Sequence, residues 1–260
     1  MNNKPIGVFD SGIGGLTVLE KLYDLLPHED YLYLCDNLNQ PYGLKPKEEV
    51  EKIVIENAKK LENAGCKMIV IACNTASLFV ESIKNNVQIP VISVIEPTCN
   101  YATNASKNAK IGVIATNLTI ESKRYEKLIC EKKQTCYSVP CSEFVDYIEN
   151  NIDDYDKGVE LVKAKISSLA NLEIDTLIYG CTHFSLLEDK IKLVLGNINY
   201  IDCGMPTSIF VKEFLNENQL FNDQILQGVI TIYTSGDNSQ LQGKTKWFKY
   251  PYLLMDKKIS

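Results

Sequence analysis

The sequence predicts an α/β protein made of two similar doubly wound domains related by internal duplication, and three observations predict it. Apolar runs of strand length alternate with stretches of amphipathic helical spacing, the pattern of a parallel sheet covered by helices. The run Met68-Ile-Val-Ile-Ala-Cys-Asn-Thr-Ala-Ser77 is echoed by Thr176-Leu-Ile-Tyr-Gly-Cys-Thr-His-Phe-Ser185, each an apolar strand pattern ending in a small residue and then a cysteine. The flanks repeat at nearly the same offset. Ile6-Gly-Val-Phe-Asp-Ser11 resembles Ile111-Gly-Val-Ile-Ala-Thr116, and Pro90-Val-Ile-Ser-Val-Ile-Glu-Pro97 more loosely resembles Asn199-Tyr-Ile-Asp-Cys-Gly-Met-Pro206. Features recurring in one order at one spacing mark a repeat. The expected first domain is residues 1–97 with 207–260, the second is 98–206, and the active site is expected in the cleft between them.

Lys4 to Phe9 reads as a short strand, and Asp10-Ser-Gly-Ile-Gly-Gly15 as a glycine-rich turn. Apolar residues at 16, 18, 19, 22, 25 and 26 then predict a half-buried helix over Leu16–Leu26. The turn lacks the third glycine of a dinucleotide fingerprint, which argues against a nucleotide cofactor there. Tyr31 to Cys35 is a second strand, followed by the loop Asp36-Asn-Leu-Asn-Gln-Pro-Tyr-Gly43. Pro46 suits the opening of a helix, whose apolar face is Val50, Ile53, Val54, Ala58 and Leu61 and which stops near Gly65. Met68 to Ala72 is continuously apolar, as a parallel strand buried on both faces should be. Thr75–Asn85 reads as helix and Pro90–Ile95 as strand. The second half restarts at Ile111. Val159, Val162, Ile166 and Leu169 define a helix within Asp154–Ala170, and strand Thr176–Tyr179, helix Leu186–Leu195 and strand Tyr200–Cys203 complete the echo. Beyond Thr207 a helix (Ile209–Leu215), a strand (Val229–Thr234) and an aromatic tail around Trp247 are expected to pack back on the first half.

Composition narrows the function. With 45% hydrophobic and 23% charged residues the chain is an ordinary globular one. A net charge of −6 disfavours nucleic acid as a partner, because phosphate binding needs a basic face. No apolar run reaches the roughly 18–20 residues of a membrane span, and the first residues lack a signal-peptide core. The nine cysteines are odd in number and scattered, with no Cys-x-x-Cys pair, which reads as reduced thiols in a cytoplasmic protein. Zinc is disfavoured, since the chain has only two histidines and no paired-ligand spacing.

In doubly wound sheets ligands sit beyond the carboxyl ends of the strands. The residues there are Asp10, Ser11, the Pro41-Tyr-Gly43 loop, Cys73-Asn-Thr75, Thr116, Thr119 and Cys181-Thr-His183. Cys73 and Cys181 each precede a helix, where the backbone dipoles favour a thiolate. An unperturbed thiol titrates near ~8.5, so a small local effect makes it a useful base. Two thiols on opposite walls suit inversion of a stereocentre carrying C–H: one removes the proton from one face, the other returns one to the opposite face. Taken singly, Cys73 also reads as a buried strand-end cysteine, Asp10 as a helix cap and His183 as a structural histidine. Tyr42 can equally serve to stiffen its loop, and His28 reads as solvated surface. Cys35, Cys66, Cys99, Cys130, Cys136, Cys141 and Cys203 read as structural.

At these residues the sequence resembles the cofactor-independent aspartate/glutamate racemase family, the glutamate racemases in particular. The resemblance is carried by Gly7-Val-Phe-Asp-Ser-Gly-Ile-Gly-Gly15, Pro41-Tyr-Gly43, Ala72-Cys-Asn-Thr-Ala-Ser77 and Gly180-Cys-Thr-His-Phe184. It implies that Cys73 and Cys181 are the two bases, that Asp10 assists Cys73 and that His183 assists Cys181. It further implies that Ser11, Tyr42, Gly43, Asn74, Thr75, Thr182 and His183 hold glutamate, with Thr116 and Thr119 as further hydroxyls near it. No metal, flavin or pyridoxal phosphate is implied. In a bacterium the product D-glutamate would feed peptidoglycan, and a homodimer is the family expectation. The chain departs from the pattern in three places. The usual Gly-Asp-Thr-Ala-Arg before Pro-Tyr-Gly is Cys35-Asp-Asn-Leu-Asn39, followed by Gln40; Gly-Cys-Thr-His-Tyr-Pro ends in Phe184-Ser185; and the family's further glutamate aligns best with Asp146. Racemisation of aspartate or another small acidic amino acid, a non-catalytic amino-acid-binding or regulatory role, and thiol redox chemistry are the alternatives.

Overall fold

The computed structural model describes residues 3–238, 241, 245–255 and 259. Among them ten strands run in chain order: β1 (Ile6–Asp10), β2 (Tyr31–Cys35), β3 (Met68–Ile71), β4 (Val91–Ser93), β5 (Lys110–Ala115), β6 (Thr135–Pro140), β7 (Thr176–Gly180), β8 (Asn199–Ile201), β9 (Ile230–Thr234) and β10 (Leu253–Met255). The helices are α1 (Leu16–Leu25), α2 (Lys47–Asn63), α3 (Asn74–Ser77), α4 (Val80–Lys84), α5 (Ile95–Ala105), α6 (Asn117–Glu121), α7 (Arg124–Glu131), α8 (Glu143–Asn150), α9 (Tyr155–Ala170), α10 (Glu188–Leu195) and α11 (Gly204–Glu217). The chain divides into two compact units, residues 1–94 with 204–260 and residues 95–203.

The first unit holds a parallel six-stranded sheet in the order β10-β9-β2-β1-β3-β4. Every residue of β1, β2 and β3 is buried, which is why these runs are apolar without alternation. Helix α1 turns Leu16, Val18, Leu19 and Leu22 to the core, and α2 turns Val50, Val54, Ala58 and Leu61. Burying each such side chain contributes roughly 1.5–3 kcal/mol. The stripe on α2 also carries Asn57, buried where Ile53 is only half-buried. The tail packs on this unit: the Tyr250 ring lies tilted against that of Tyr23 with centroids 4.4 Å apart, and Lys249 reaches Asp24 at 3.0 Å and Glu20 at 3.4 Å.

The second unit holds a parallel four-stranded sheet, β6-β5-β7-β8. Its core joins Phe144, Tyr147 and Ile148 of α8, Val162, Ile166 and Leu169 of α9, and Leu177 and Tyr179 of β7 with Phe184, Leu187 and Ile191. The order around the first strand of each unit is the same: β2-β1-β3-β4 in one and β6-β5-β7-β8 in the other. In each, successive connections leave the central pair of strands in opposite directions. That reversal opens a crevice at the carboxyl ends of β1 and β3, and another at those of β5 and β7.

Several elements differ from the sequence expectation for definable reasons. The helix expected over Thr75–Asn85 is two pieces, α3 and α4. Leu78 N donates to Thr75 O and Phe79 N to Ala76 O, tightening the chain after Ser77, whose hydroxyl turns back to Ile71 O. The strand expected to reach Ile95 ends at Ser93, and the one expected to reach Cys203 ends at Ile201. Helices α5 and α11 begin at Ile95 and Gly204, so Pro97 and Pro206 lie in their first turns. First-turn N–H groups have no helical acceptor, and proline there costs nothing. The helix expected from Leu186 starts as a 3-10 turn, Phe184–Leu187, before α10.

Candidate active site

In the first unit the crevice is lined by the last residue of β1 and the residues that follow β3. Carried past the last pair, Phe9 with Ile71, the β1–β3 register sets Ser11 opposite Cys73. Their side chains meet: Cys73 Sγ donates to Ser11 Oγ at 3.8 Å. The same sulfur accepts from Ala76 N at 3.5 Å, capping α3. Asp10 is fully buried, and its Oδ1 accepts from Gly12 N at 2.8 Å and from Ser11 Oγ at 3.5 Å. The turn is fixed from beneath by the buried Tyr33, whose hydroxyl donates to Gly12 O at 2.6 Å. Burial, and next the charge of Asp10, hold the Tyr33 phenol well above its usual range, so it stays a donor. Gly15 is required here, because a methyl group on it would lie 2.5 Å from Asp10 Cβ and 2.7 Å from Tyr33 Oη. Asn74 and Thr75 follow Cys73 and are buried beside it in the chain.

Tyr42 is buried at the start of a 3-10 turn, Tyr42–Leu44, which also contains the half-buried Gly43. Its hydroxyl donates to Asp36 Oδ2 at 2.5 Å and accepts from Asn57 Nδ2 at 3.0 Å. Asp36 also accepts from Asn57 Nδ2 at 2.9 Å and, through both oxygens, from Asn39 Nδ2 at 3.0 Å. The phenol is hydrogen-bonded within its own loop and to α2, contacts that stiffen the loop. Asn39 brings a neutral donor to the Asp36 carboxylate.

In the second unit the β5–β7 register, carried past Ala115 with Gly180, sets Thr116 opposite Cys181. Thr116 caps α6 and its hydroxyl lies 3.0 Å from that of Thr119, both buried. Cys181 is partly exposed, and its sulfur lies 3.8 Å from His183 Nδ1. His183 Nε2 lies 3.1 Å from Glu149 Oε1. A carboxylate accepts only from N–H, so the proton belongs on Nε2 and Nδ1 is left to accept from the thiol. Thr182 is buried between the two. Asp146, the expected carboxylate, is instead exposed and accepts from Asn150 Nδ2 at 2.9 Å. Glu149 at the end of α8 takes the position against His183; no motif marks it, and it lies 34 residues from its partner.

The halves are equivalent in backbone and different in chemistry. Where the first has Asp10, the second has Ala115; where the second has His183, the first has Thr75. Burial pushes the thiols of Cys66 and Cys141 up to about 12 and that of Cys136 up to about 11, so these remain protonated near neutrality. Cys99, buried among other thiols, is pushed higher still. His28 is exposed, as expected, with Nδ1 3.1 Å from Leu226 O. Among the described residues no three His, Cys, Asp or Glu gather as a metal site, and no helix is long and apolar enough to cross a membrane.

Residues 15–205 match the family model for Asp/Glu/Hydantoin racemase. A glutamate racemase of Thermoanaerobacter pseudethanolicus is 36% identical over 262 residues, spanning 100% of this chain and 96% of that protein. A glutamate racemase isoform from Bacillus anthracis has a similar crystal structure, with a TM-score of 0.94 and 35% identity over 98% of this chain and 97% of the other. The glutamate racemase of Francisella tularensis, solved with D-glutamate, gives a TM-score of 0.91 and 32% identity over 100% and 98% of the two chains.

Proposed function

The chain belongs to the Asp/Glu/Hydantoin racemase family, and on that premise we propose that it interconverts L- and D-glutamate through two thiols acting as bases at Cα. The observation that carries this proposal is the matched placement of Cys73 and Cys181 at the same strand end of two sheets with one strand order, each against its own polar partner. In one direction one thiolate removes the Cα proton while the other thiol delivers a proton to the opposite face, and in reverse the roles exchange. The reaction requires both sulfurs to reach one Cα.

The partners suit those roles. The Ala76 amide, donating to Cys73 Sγ at 3.5 Å, favours its thiolate form, while Ser11 stands 3.8 Å away as the acceptor of the thiol proton. Asp10 holds Ser11 and the turn that carries it. On the other side His183 takes the proton of Cys181, and Glu149 balances the imidazolium that results. Asn74, Thr75, Thr116, Thr119 and Thr182, with the Gly43 backbone, are the groups left to hold the carboxylates and the charge that grows on the intermediate. No metal or organic cofactor enters this scheme. In a bacterial cell the reaction belongs in the cytoplasm and supplies D-glutamate to the cell wall. A homodimer is part of the same proposal, and sedimentation velocity at assay concentration reads it.

The test is the optical signal of L-glutamate under circular dichroism with purified protein, run beside L-aspartate. Decay to zero with glutamate, and much slower decay with aspartate, is expected. Cys73→Ser and Cys181→Ser are each expected to slow racemisation by at least about 100-fold. Faster turnover of aspartate would reassign the substrate, and undiminished binding of glutamate with no racemisation by the unaltered protein would make it a binding protein.

A further inference from the structure

Helix α2 buries an amide where an apolar side chain would serve its packing. Asn57 lies on the stripe formed by Val50, Val54, Ala58 and Leu61 and is buried with them. Asparagine is a poor helix former, and a buried amide is costly unless it is hydrogen-bonded. Here its Nδ2 donates to Asp36 Oδ2 at 2.9 Å and to Tyr42 Oη at 3.0 Å, and its Oδ1 accepts from Lys60 Nζ at 3.4 Å. The two Nδ2 bonds leave the helix, and both end on the loop after β2.

That loop turns back at the 3-10 turn Tyr42–Leu44, which carries Gly43. Within the turn, Lys45 N donates to Tyr42 O at 3.1 Å and Leu44 N to Pro41 O at 3.4 Å. Among the described residues, the hydrogen bonds that tie the turn to anything beyond itself pass through one atom, Tyr42 Oη. The bond from that oxygen to Asp36, 2.5 Å long, stays within the loop, and Asp36 is fixed to β1 by its N–H, which donates to Asp10 O at 2.9 Å. A single hydrogen bond to one carboxylate oxygen is a pivot about which the phenol and its turn can swing. The Asn57 amide, bonded to both Asp36 Oδ2 and Tyr42 Oη, closes a triangle and removes that freedom. Burial, and next the charge of Asp36, hold the Tyr42 phenol well above its usual range, so it remains the donor to Asp36.

We propose that Asn57 is a positioning residue for substrate binding: it fixes the Tyr42–Leu44 turn against α2 and so sets the Gly43 backbone where it receives a substrate carboxylate. This rests on the proposed racemisation of glutamate and on Gly43 as one of the groups that hold it. The side-chain bonds of Asn57 reach neither thiol, so its loss should weaken binding and leave the proton transfers intact.

The experiment compares Asn57→Leu, which keeps a similar volume and removes the amide, with Tyr42→Phe, the double variant Tyr42→Phe/Asn57→Leu and Val54→Ala, all as full chains. Val54→Ala is the control, since it loosens the same buried stripe of α2 at an apolar side chain. Asn57→Leu should raise KM for L-glutamate roughly five- to twentyfold, with kcat within about twofold of the unaltered protein. Peptides covering residues 41–45 should exchange their amide hydrogens faster, read by mass spectrometry, while those covering α2 stay protected. Asn57→Ala carries the same expectations and serves where Asn57→Leu does not fold. Tyr42→Phe should raise KM at least as much, and the double variant should match it within about twofold, because both changes break one triangle. Val54→Ala should lower the melting temperature and leave KM within about twofold. Unchanged KM in Asn57→Leu, unaltered exchange at 41–45, an equal rise of KM in Val54→Ala, or multiplying losses in the double variant would each overturn the proposal. An unaltered protein that fails to racemise glutamate would instead remove the premise, whatever Asn57 does.

Discussion

At the end of α8 two carboxylates one turn apart, Asp146 and Glu149, have different surroundings. Asp146 accepts only from Asn150 at the surface, whereas Glu149 meets His183 Nε2 at 3.1 Å and so settles which imidazole nitrogen faces Cys181. Glu149→Gln, which can no longer act as an anionic partner, is expected to lower kcat by between about tenfold and about 100-fold, while Asp146→Asn leaves it unchanged; steady-state racemisation of both variants checks this. The contacts that the sequence makes legible are local. Ser11 neighbours Asp10, and His183 stands two residues from Cys181, so strand-end motifs carry those pairs in plain view. The contacts it hides are between distant segments. Glu149 reaches His183 and Tyr33 reaches Gly12 only because separate elements are brought together, and neither residue type at those positions has any spacing signal of its own.

Among elements, periodicity places α1, α2 and α9 well because each turns one apolar stripe to a sheet. It fails where side-chain chemistry competes with the helix, as at Ser77 between α3 and α4, and where a short strand hands over to a helix without a breaker, as at Ile95. The amino ends of β2 and β3 and the segment after α11 are joined by one buried ion pair that periodicity cannot see. Lys67 Nζ lies 2.5 Å from Glu29 Oε2 and donates to Leu220 O at 2.7 Å, and Asn222 N donates to Glu29 Oε1 at 2.8 Å. Removing one charge strands the other in a site that excludes water. Lys67→Met is therefore expected to destabilise the protein by about 3–5 kcal/mol, a fall in melting temperature of roughly 10 °C by calorimetry. A change within a degree or two would mean that water reaches the pair.

For the molecule as a whole, the repeat was the most legible feature, since two sheets with one strand order must carry similar strand and turn patterns in a similar sequence order. What duplication could not reveal is how the copies diverged. The position held by Asp10 in the first sheet is Ala115 in the second, and the position of His183 is Thr75 in the first. In the reaction proposed above, the two sulfurs would thus have different helpers for one task. Racemisation of L-glutamate in deuterium oxide, followed by mass spectrometry of both enantiomers at early times, asks directly whether two separate bases act. The prediction is D-glutamate carrying solvent deuterium at Cα from the first turnovers, with the remaining L-glutamate still protiated. D-glutamate that keeps its original proton would show one base working both faces, and would contradict the assignment of Cys73 and Cys181 as a pair.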